Sequence, residues 1–136
     1  MPSDLPLVQV EERHLGQLLT NLLGNALSYT PPGGHVWVKA GANLAESQSF
    51  LWLQIIDTGL GIPEADIPFL FERFFRREQV LNRGIPGTGL GLAICHEIVK
   101  RYSGRIEVSS ILEQGTIFTV WLPVASSQEI RRVTVL

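Results

Sequence analysis

The chain has 136 residues, which is enough for one domain with a single core and too few for two. Its 45% hydrophobic and 18% charged residues are typical of a globular protein, and a net charge of -2 argues against a nucleic-acid-binding surface. The single cysteine, Cys95, excludes an internal disulfide and any metal site built on paired cysteines.

The sequence contains no apolar run of the roughly 18 residues that a membrane-spanning helix needs, so we expect no membrane contact from this chain. The first residues lack the basic segment and apolar stretch of a secretion signal. With one cysteine, these features favour a cytoplasmic setting. We expect any membrane anchor to lie on sequence outside this chain.

The first half of the chain predicts a lead-in, a long helix and two strands. Residues 7–10 alternate like an edge strand. Leucines recur at three- and four-residue steps over residues 11–29, which predicts an amphipathic helix that the segment Pro31–Gly34 ends. Alternation predicts a strand over residues 35–40, and a more apolar and therefore more buried strand is expected over residues 50–56.

The second half predicts two further helices and a hairpin. In chain order, the expected elements are a short helix over 63–70, a mobile loop over 77–88, a helix over 89–102 capped by Gly104, and strands over 105–109 and 116–122. Short turns between consecutive strands indicate antiparallel hairpins.

These elements predict an α+β fold. We expect a two-layer α/β sandwich, in which helices cover one face of a mixed, mostly antiparallel sheet. A single domain is expected over residues 1–136, with its core at about 8–123 and a loose tail over 124–136.

Two glycine clusters follow buried or polar segments. Gly59-Leu60-Gly61 follows a strand, and Gly87-Thr88-Gly89-Leu90-Gly91 opens a helix, where backbone amides and the helix dipole favour an anion. A tight turn and a helix start are the commoner explanation of a lone pattern of this kind. A Rossmann site and a Walker loop are excluded, because no strand precedes Gly87 and no Lys-Ser/Thr follows the glycines.

Polar residues occupy one stripe of the long helix: Gln17, Asn21, Asn25 and Ser28. Such a stripe is normally the solvated side, but asparagine is a poor helix former, and its side-chain oxygen suits a hydrated Mg²⁺. Asp57 ends a buried strand directly before a glycine turn. Its carboxylate either accepts a hydrogen bond from a ligand's amino group or simply forms the turn.

Five segments occur in a fixed order over about residues 8–123: 18–34, 57–63, 71–76, 87–94 and 115–118. They resemble the N box, the first glycine box, the F box, and the second and last glycine boxes of the catalytic, ATP-binding domain of sensor histidine kinases. That domain belongs to a superfamily with gyrase B-type topoisomerases and chaperone ATPases. The ordered set is highly specific, and it implies the histidine kinase ATPase-type fold.

The resemblance implies how a nucleotide would be held at its base end. Asp57 would bind the adenine amino group, Thr116 would support it through a water, and Tyr29 would line the nucleotide. The glycine-box residues implied to contact the nucleotide or shape its phosphate end are Gly59, Gly61, Gly87, Thr88, Gly89, Leu90 and Gly91.

The resemblance also implies the metal and phosphate end. Asn25 would coordinate Mg²⁺ between the phosphates with help from Asn21, and Arg76 would reach the phosphates from a lid over residues 74–88. In the superfamily's ATPases the position of Asn21 holds a glutamate that activates water. Because an amide cannot take a proton, the resemblance implies a site that holds Mg-ATP for another nucleophile.

Three positions depart from the family or imitate it. Ser28 stands where many histidine kinases carry a phosphate-binding lysine, and we expect weaker nucleotide binding. Glu113 stands where a glycine is frequent, and we expect a small effect. His96 precedes Glu97 as the acceptor histidine of the family precedes an acidic residue, but it lies inside a helix. We expect it to be a surface or packing residue.

The resemblance implies an enzyme domain of a two-component system, a protein histidine kinase that is incomplete by itself. It would bind Mg-ATP and donate the γ-phosphoryl group to a histidine on a separate dimeric helical domain, which in turn serves a response regulator. The fragment alone is expected to be monomeric. Two alternatives remain open. Ser28 motivates a degenerate nucleotide-binding or protein-docking module, and the shared fold allows a stand-alone serine kinase of the anti-sigma type, although the segment 71–76 favours the sensor kinase.

Overall fold

The computed structural model describes residues 10–43, 49–73 and 90–123. Its elements are α1 (Glu12–Tyr29), β1 (Val36–Asn43), β2 (Phe50–Asp57), a 3₁₀ helix (Glu64–Phe69), α2 (Gly91–Arg101), β3 (Arg105–Ile111) and β4 (Gly115–Pro123). Every helix and strand expected within these residues is present, with boundaries shifted by a few residues. The loop expected over 77–88 and the tail over 124–136 lie outside the described residues, as does most of the strand expected at 7–10.

The four strands form one sheet in the order β1-β2-β4-β3. All three pairings are antiparallel, so the described part of the sheet has no parallel pair. The hairpins β1–β2 and β3–β4 meet along β2 and β4. Thr116 of β4 therefore has Asp57 of β2 opposite it on one side and Ser110 of β3 opposite it on the other. These three residues therefore form one row across the sheet, close to the ends of three strands.

The helices pack on one face of this sheet and create the core. α1 buries Leu18, Leu22 and Ala26, which recur at four-residue steps on one side of the helix. In β2 and β4 alternate residues point to the helices, because successive strand side chains face opposite ways. The buried aliphatic and aromatic strand residues are Leu53, Ile55, Phe118, Val120 and Leu122. The predicted α+β sandwich with helices on one face is confirmed.

The described residues include no helix that is long and apolar enough to cross a membrane.

The C-terminus of α2 differs in detail from the expected glycine cap. The residue with positive φ is Ser103, at 58°, and the Gly104 amide donates to the Val99 carbonyl at 2.9 Å. This is the hydrogen-bond pattern of a Schellman motif with serine in the left-handed position. Gly104 is required for packing instead, because a Cβ there would overlap the carbonyl oxygen of Trp121.

The turn between β3 and β4 holds a second non-glycine residue with positive φ. Glu113 has a φ of 66°, a conformation that side chains with a Cβ disfavour. The small effect expected of a glutamate at this position is thus accompanied by a specific backbone cost.

We predict that Glu113→Gly raises the free energy of unfolding by about 1 kcal/mol, since relief of the left-handed strain exceeds the extra entropy of an unfolded glycine. The measurement is urea unfolding of this chain. Gln114→Gly is the matched control, because Gln114 does not have positive φ and its replacement should lower the stability. Equal destabilisation by both changes would contradict the interpretation.

Candidate functional site

Asp57 is the last residue of β2 and lies at the margin of the core. Its side chain is only 8% exposed, and its Oδ1 accepts a hydrogen bond from the Gly59 amide at 2.8 Å. This bond folds the chain into the turn Asp57–Gly61, here called the first glycine turn. Asp57 does form its turn, as the simpler interpretation proposed, and it does so while its carboxylate stays on the helix-facing side of the sheet.

The first glycine turn is packed between two other backbone segments. On one side the Leu60 amide donates to the Tyr29 carbonyl at 3.2 Å, and a Cβ at Gly59 would overlap that same carbonyl oxygen. On the other side Gly61, with a φ of 69°, faces the Ile111 carbonyl, which a Cβ would also overlap. The end of α1 is therefore fixed against the turn.

Gly115, at the start of β4, also packs against the first glycine turn. Its φ is 136°, and a Cβ there would overlap the carbonyl oxygen of Asp57. The Glu113 amide also donates to the Leu60 carbonyl at 2.6 Å. The two glycine motifs are far apart in the sequence, but they lie in direct contact, and this contact brings Thr116 beside Asp57.

Thr116 is 5% exposed and sits opposite Asp57 on the neighbouring strand. Directly opposed residues of an antiparallel pair share a face of the sheet, so the two polar side chains are neighbours. The predicted association of Asp57 with Thr116 thus agrees with the strand register.

Ser110 is a site residue that the sequence analysis did not identify. Its Oγ accepts a hydrogen bond from the Ile62 amide at 2.8 Å, donates to the Gly115 carbonyl at 2.9 Å, and lies 2.8 Å from the Thr116 Oγ1. Alternation along β3 places it on the same face as Ile106 and Val108. The sequence could have indicated Ser110 in one way, because this serine continues an alternating series of aliphatic core residues along β3. Asp57, Thr116 and Ser110 together are called the polar row below.

The stripe of α1 runs from the first glycine turn toward α2. Tyr29 lies at the turn through its backbone, and Asn25 and Asn21 follow at four-residue steps toward the start of the helix. At 1.5 Å rise per residue, Tyr29 and Asn21 are separated by about 12 Å along the helix axis. The stripe therefore forms an extended polar surface that begins at the first glycine turn and ends near α2.

Asn21 is at the end of this surface that meets α2. The Cγ of Asn21 lies 3.8 Å from the position of a Cβ on Gly91, and the Nδ2 is buried with no hydrogen-bond partner among the residues that the structure describes. A buried donor without a partner costs free energy, and such groups often mark a place where a ligand or water binds. The N-cap of α2 is Leu90, whose side chain cannot cap the first amides, and the first turn has no acidic residue. The positive end of the helix thus lies beside an unpaired donor.

Cys95 also contacts this region but is chemically inert. Burial raises the pKa of its thiol to about 12, so the thiol stays protonated. Its Sγ approaches the Leu18 carbonyl at 3.8 Å. Nowhere in residues 10–43, 49–73 and 90–123 do three or more His, Cys, Asp or Glu side chains come together as a metal site.

Several predicted site residues lie outside the described residues: Arg76, Gly87, Thr88 and Gly89, together with the whole of the predicted lid. Phe71 is described, and its ring stacks on the exposed His96 with centroids 5.4 Å apart. His96 is therefore a surface residue in a ring contact, as expected. Phe71 also contacts Phe118 in the core, which ties the segment 71–73 to the sheet.

A groove of about 520 Å³ lies on the helical layer, lined by His14, Gln17, Arg73, Leu90, Ala93, Ile94, Glu97, Ile98 and Arg101. Neither Asp57 nor Thr116 lines it, and of the predicted site residues that the structure describes only Leu90 does. The polar row and the groove are thus different places.

The geometry can be compared with known proteins. The family model of the histidine kinase-, DNA gyrase B-, and HSP90-like ATPases matches residues 10–126. Sensor histidine kinase WalK of Bacillus subtilis (strain 168) is 39% identical over 122 residues, which are 90% of this chain and 20% of WalK. Sensor histidine kinase Hik2 of Thermosynechococcus vestitus is 42% identical over 125 residues, covering 90% of this chain and 31% of Hik2. The chain therefore spans less than a third of the length of these curated relatives.

Solved structures agree with this assignment. The mycobacterial sensor histidine kinase MprB superposes with a TM-score of 0.71 at 33% identity, over 88% of this chain and 80% of that chain. Full-length ShkA in complex with AMPPNP superposes with a TM-score of 0.74 at 30% identity, over 92% of this chain and 24% of that chain. The chain belongs to the histidine kinase-, DNA gyrase B- and HSP90-like ATPase family, in which it corresponds to the catalytic, ATP-binding domain of sensor histidine kinases.

Proposed function

We propose that this domain binds Mg-ATP and donates the γ-phosphoryl group to a histidine on a separate dimeric helical domain, as part of a two-component signalling protein. The observation that carries the proposal is that the polar stripe of α1 connects two chemically different regions. The polar row lies at one end of the α1 stripe, and the N-terminus of α2 with the unpaired Asn21 amide lies at the other. The first end suits a base and the second suits phosphates.

At the base end, Asp57 accepts a hydrogen bond from the adenine amino group, and Thr116 contacts the base through a water. Both side chains are at least nine-tenths buried, so a hydrogen bond made there is little weakened by competing solvent. The first glycine turn holds Asp57 at this end, since Gly59 and Gly61 let the carbonyls of Tyr29 and Ile111 pack closely against it. Tyr29 borders the nucleotide from the end of α1.

At the phosphate end, the donor set suits a cation that arrives with its nucleotide. Asn25 and Asn21 offer amide oxygens, and no described cluster of carboxylates competes, so Mg²⁺ would keep most of its ligands as phosphate oxygens and waters. When bound, the cation would neutralise phosphate charge. The unpaired Asn21 Nδ2 and the first amides of α2 donate hydrogen bonds to phosphate oxygens. By the family resemblance, Arg76, Gly87, Thr88 and Gly89 also belong to this end.

The chemistry of Asn21 favours transfer over hydrolysis. Its neighbours on α2 are Gly91 and the protonated Cys95, and neither can take a proton from water. Catalysis then rests on positioning the γ-phosphoryl group in line with an external nucleophile and on stabilising its charge. The acceptor histidine supplies the nucleophile and ADP leaves. The AMPPNP complex of ShkA, a protein 30% identical to this chain, supports an ATP-type ligand.

We predict that Asp57→Asn weakens ADP binding by at least about tenfold, the cost of one lost hydrogen bond in a buried site. An amide has one acceptor oxygen, so it must give up either the Gly59 amide or the adenine amino group. Calorimetric titration gives the dissociation constant. The exposed Glu64→Gln makes the same chemical change away from the site and should bind ADP normally. An unchanged affinity in Asp57→Asn would refute the assigned base pocket.

Transfer itself is tested by adding a sensor-kinase helical domain in trans with radiolabelled ATP. We expect acid-labile phosphohistidine on that domain, and very slow ATP hydrolysis by this chain alone because Asn21 cannot act as a base. Acid-stable phosphoserine on a protein partner would favour the anti-sigma-type kinase. Fast hydrolysis by the isolated chain would contradict the assignment of Asn21.

A further inference from the structure

We propose that the face of the sheet opposite the helices binds a second copy of this chain, so that two sheets pack face to face in a symmetric dimer. The inference does not depend on the proposed function, because the polar row lies on the other, helix-facing side of the sheet. It replaces the monomer that the resemblance implies. The strand register carries it, because the face is complementary to itself in charge and in side-chain size.

The face in question is here called the open face, since the described helices pack on the other side of the sheet. Residues of β3 alternate between exposed and half-buried, and the exposed ones belong to the open face. All three tryptophans of the chain, Trp37, Trp52 and Trp121, lie on it as well. Trp37 is 46% exposed, and Ile111 of β3 is 60% exposed. A continuous surface of this kind is typical of a protein–protein contact.

The middle of the open face carries opposite charges at its two edges. One row across the sheet consists of Lys39 in β1, Gln54 in β2, Thr119 in β4 and Glu107 in β3. The Gln54 Nε2 donates to the Thr119 Oγ1 at 3.3 Å, so the two central polar groups are partners. A half-turn about an axis along the strands brings Lys39 over Glu107 of the second copy. An axis across the strands would place like charges together, so the charges select the first axis.

The rows on either side of this one match in size at the edges of the sheet. The same half-turn brings Trp37 over Ser109 of the second copy, a large side chain over a small one. On the other side of the middle row it brings Arg105 over Gly41 of the second copy. A Cβ at Gly41 would overlap the Trp52 ring, so that ring fills the place of the missing side chain. Arg105 therefore meets an aromatic surface there.

The centre of these two rows is apolar in both copies. The half-turn brings Ile56 over Ile117 of the second copy and Trp121 over Trp52 of the second copy. The Arg105 guanidinium already lies over its own Trp121, with Cζ 4.9 Å from the ring centroid. In the dimer this cation would lie between two indole rings, an arrangement that stabilises it on both sides.

The size of the open face sets the expected affinity. Four strands about 25 Å long and about 4.8 Å apart give each copy a contact area of about 500 Å². Two copies would bury about 1,000 Å², which is the lower limit for a specific interface. Aligned packing of two twisted sheets at about 30° allows a contact of this extent. We therefore expect a reversible dimer with a dissociation constant in the micromolar range.

The experiment is sedimentation equilibrium of this chain from micromolar to millimolar concentration, with tryptophan emission recorded in parallel. We expect a monomer–dimer equilibrium and a blue shift of the emission on association, because every tryptophan lies on the open face. Lys39→Glu places like charges at two symmetric contacts and should raise the dissociation constant by about tenfold. Lys100→Glu makes the same charge change on the exposed surface of α2 and is the matched control.

Exchanging the two charges tests the axis. Glu107→Lys should weaken the dimer as Lys39→Glu does, and it also removes the exposed salt bridge to Arg105. The double variant Lys39→Glu/Glu107→Lys lacks that salt bridge too, but it restores opposite charges across the axis and should bind more tightly than Glu107→Lys alone. Circular dichroism verifies that each variant is folded, and ADP titration tests the proposed function separately, since these residues lie on the opposite face from the polar row.

The outcomes decide between a dimer and other roles of the open face. A chain that stays monomeric at millimolar concentration would overturn the proposal. A dimer that Lys39→Glu weakens no more than Lys100→Glu does would overturn the assigned face, and failure of the double variant to improve on Glu107→Lys would overturn the assigned axis. A chain that dimerises as expected and binds no ADP would refute the proposed function alone.

Discussion

The candidate site depends on three backbone segments that approach more closely than side chains would allow. Gly59, Gly61 and Gly115 each face a carbonyl oxygen that a Cβ would overlap. Through them the end of α1, the first glycine turn and the start of β4 share one contact region. Any larger residue would force these segments apart, and the polar groups they carry would no longer lie side by side.

Polar side chains at the end of a hydrophobic sheet face are costly unless they have partners. In the polar row these partners are mostly backbone groups of the same close contact: the Gly59 amide for Asp57, and the Ile62 amide and Gly115 carbonyl for Ser110. The close contact that the glycines allow thus brings the polar groups together and also supplies the hydrogen bonds that make their burial tolerable. Close packing and the hydrogen bonding of the buried polar groups have the same structural origin here.

The helices, the strands and their α+β arrangement were predictable, because leucine periodicity in α1 and alternation in the strands report burial directly. The roles of Asp57 and Thr116 came from motif resemblance and stay predictions, while the strand register brings the two residues side by side. Ser110 was not predictable in this way, since its role depends on the Ile62 amide, which is 48 residues away in sequence. Gly104 was assigned to the helix cap for the same reason, because its contact with Trp121 is tertiary.

The most direct test of the account is calorimetric titration of this chain with ADP and a non-hydrolysable ATP analogue, each with and without Mg²⁺. The account predicts micromolar binding of both, strengthened by Mg²⁺ for the triphosphate, and loss of the Mg²⁺ effect in Asn25→Ala. The exposed Thr20→Ala on the same helix should keep that effect. No detectable binding at millimolar nucleotide would contradict the account and indicate a degenerate domain whose function lies in protein docking.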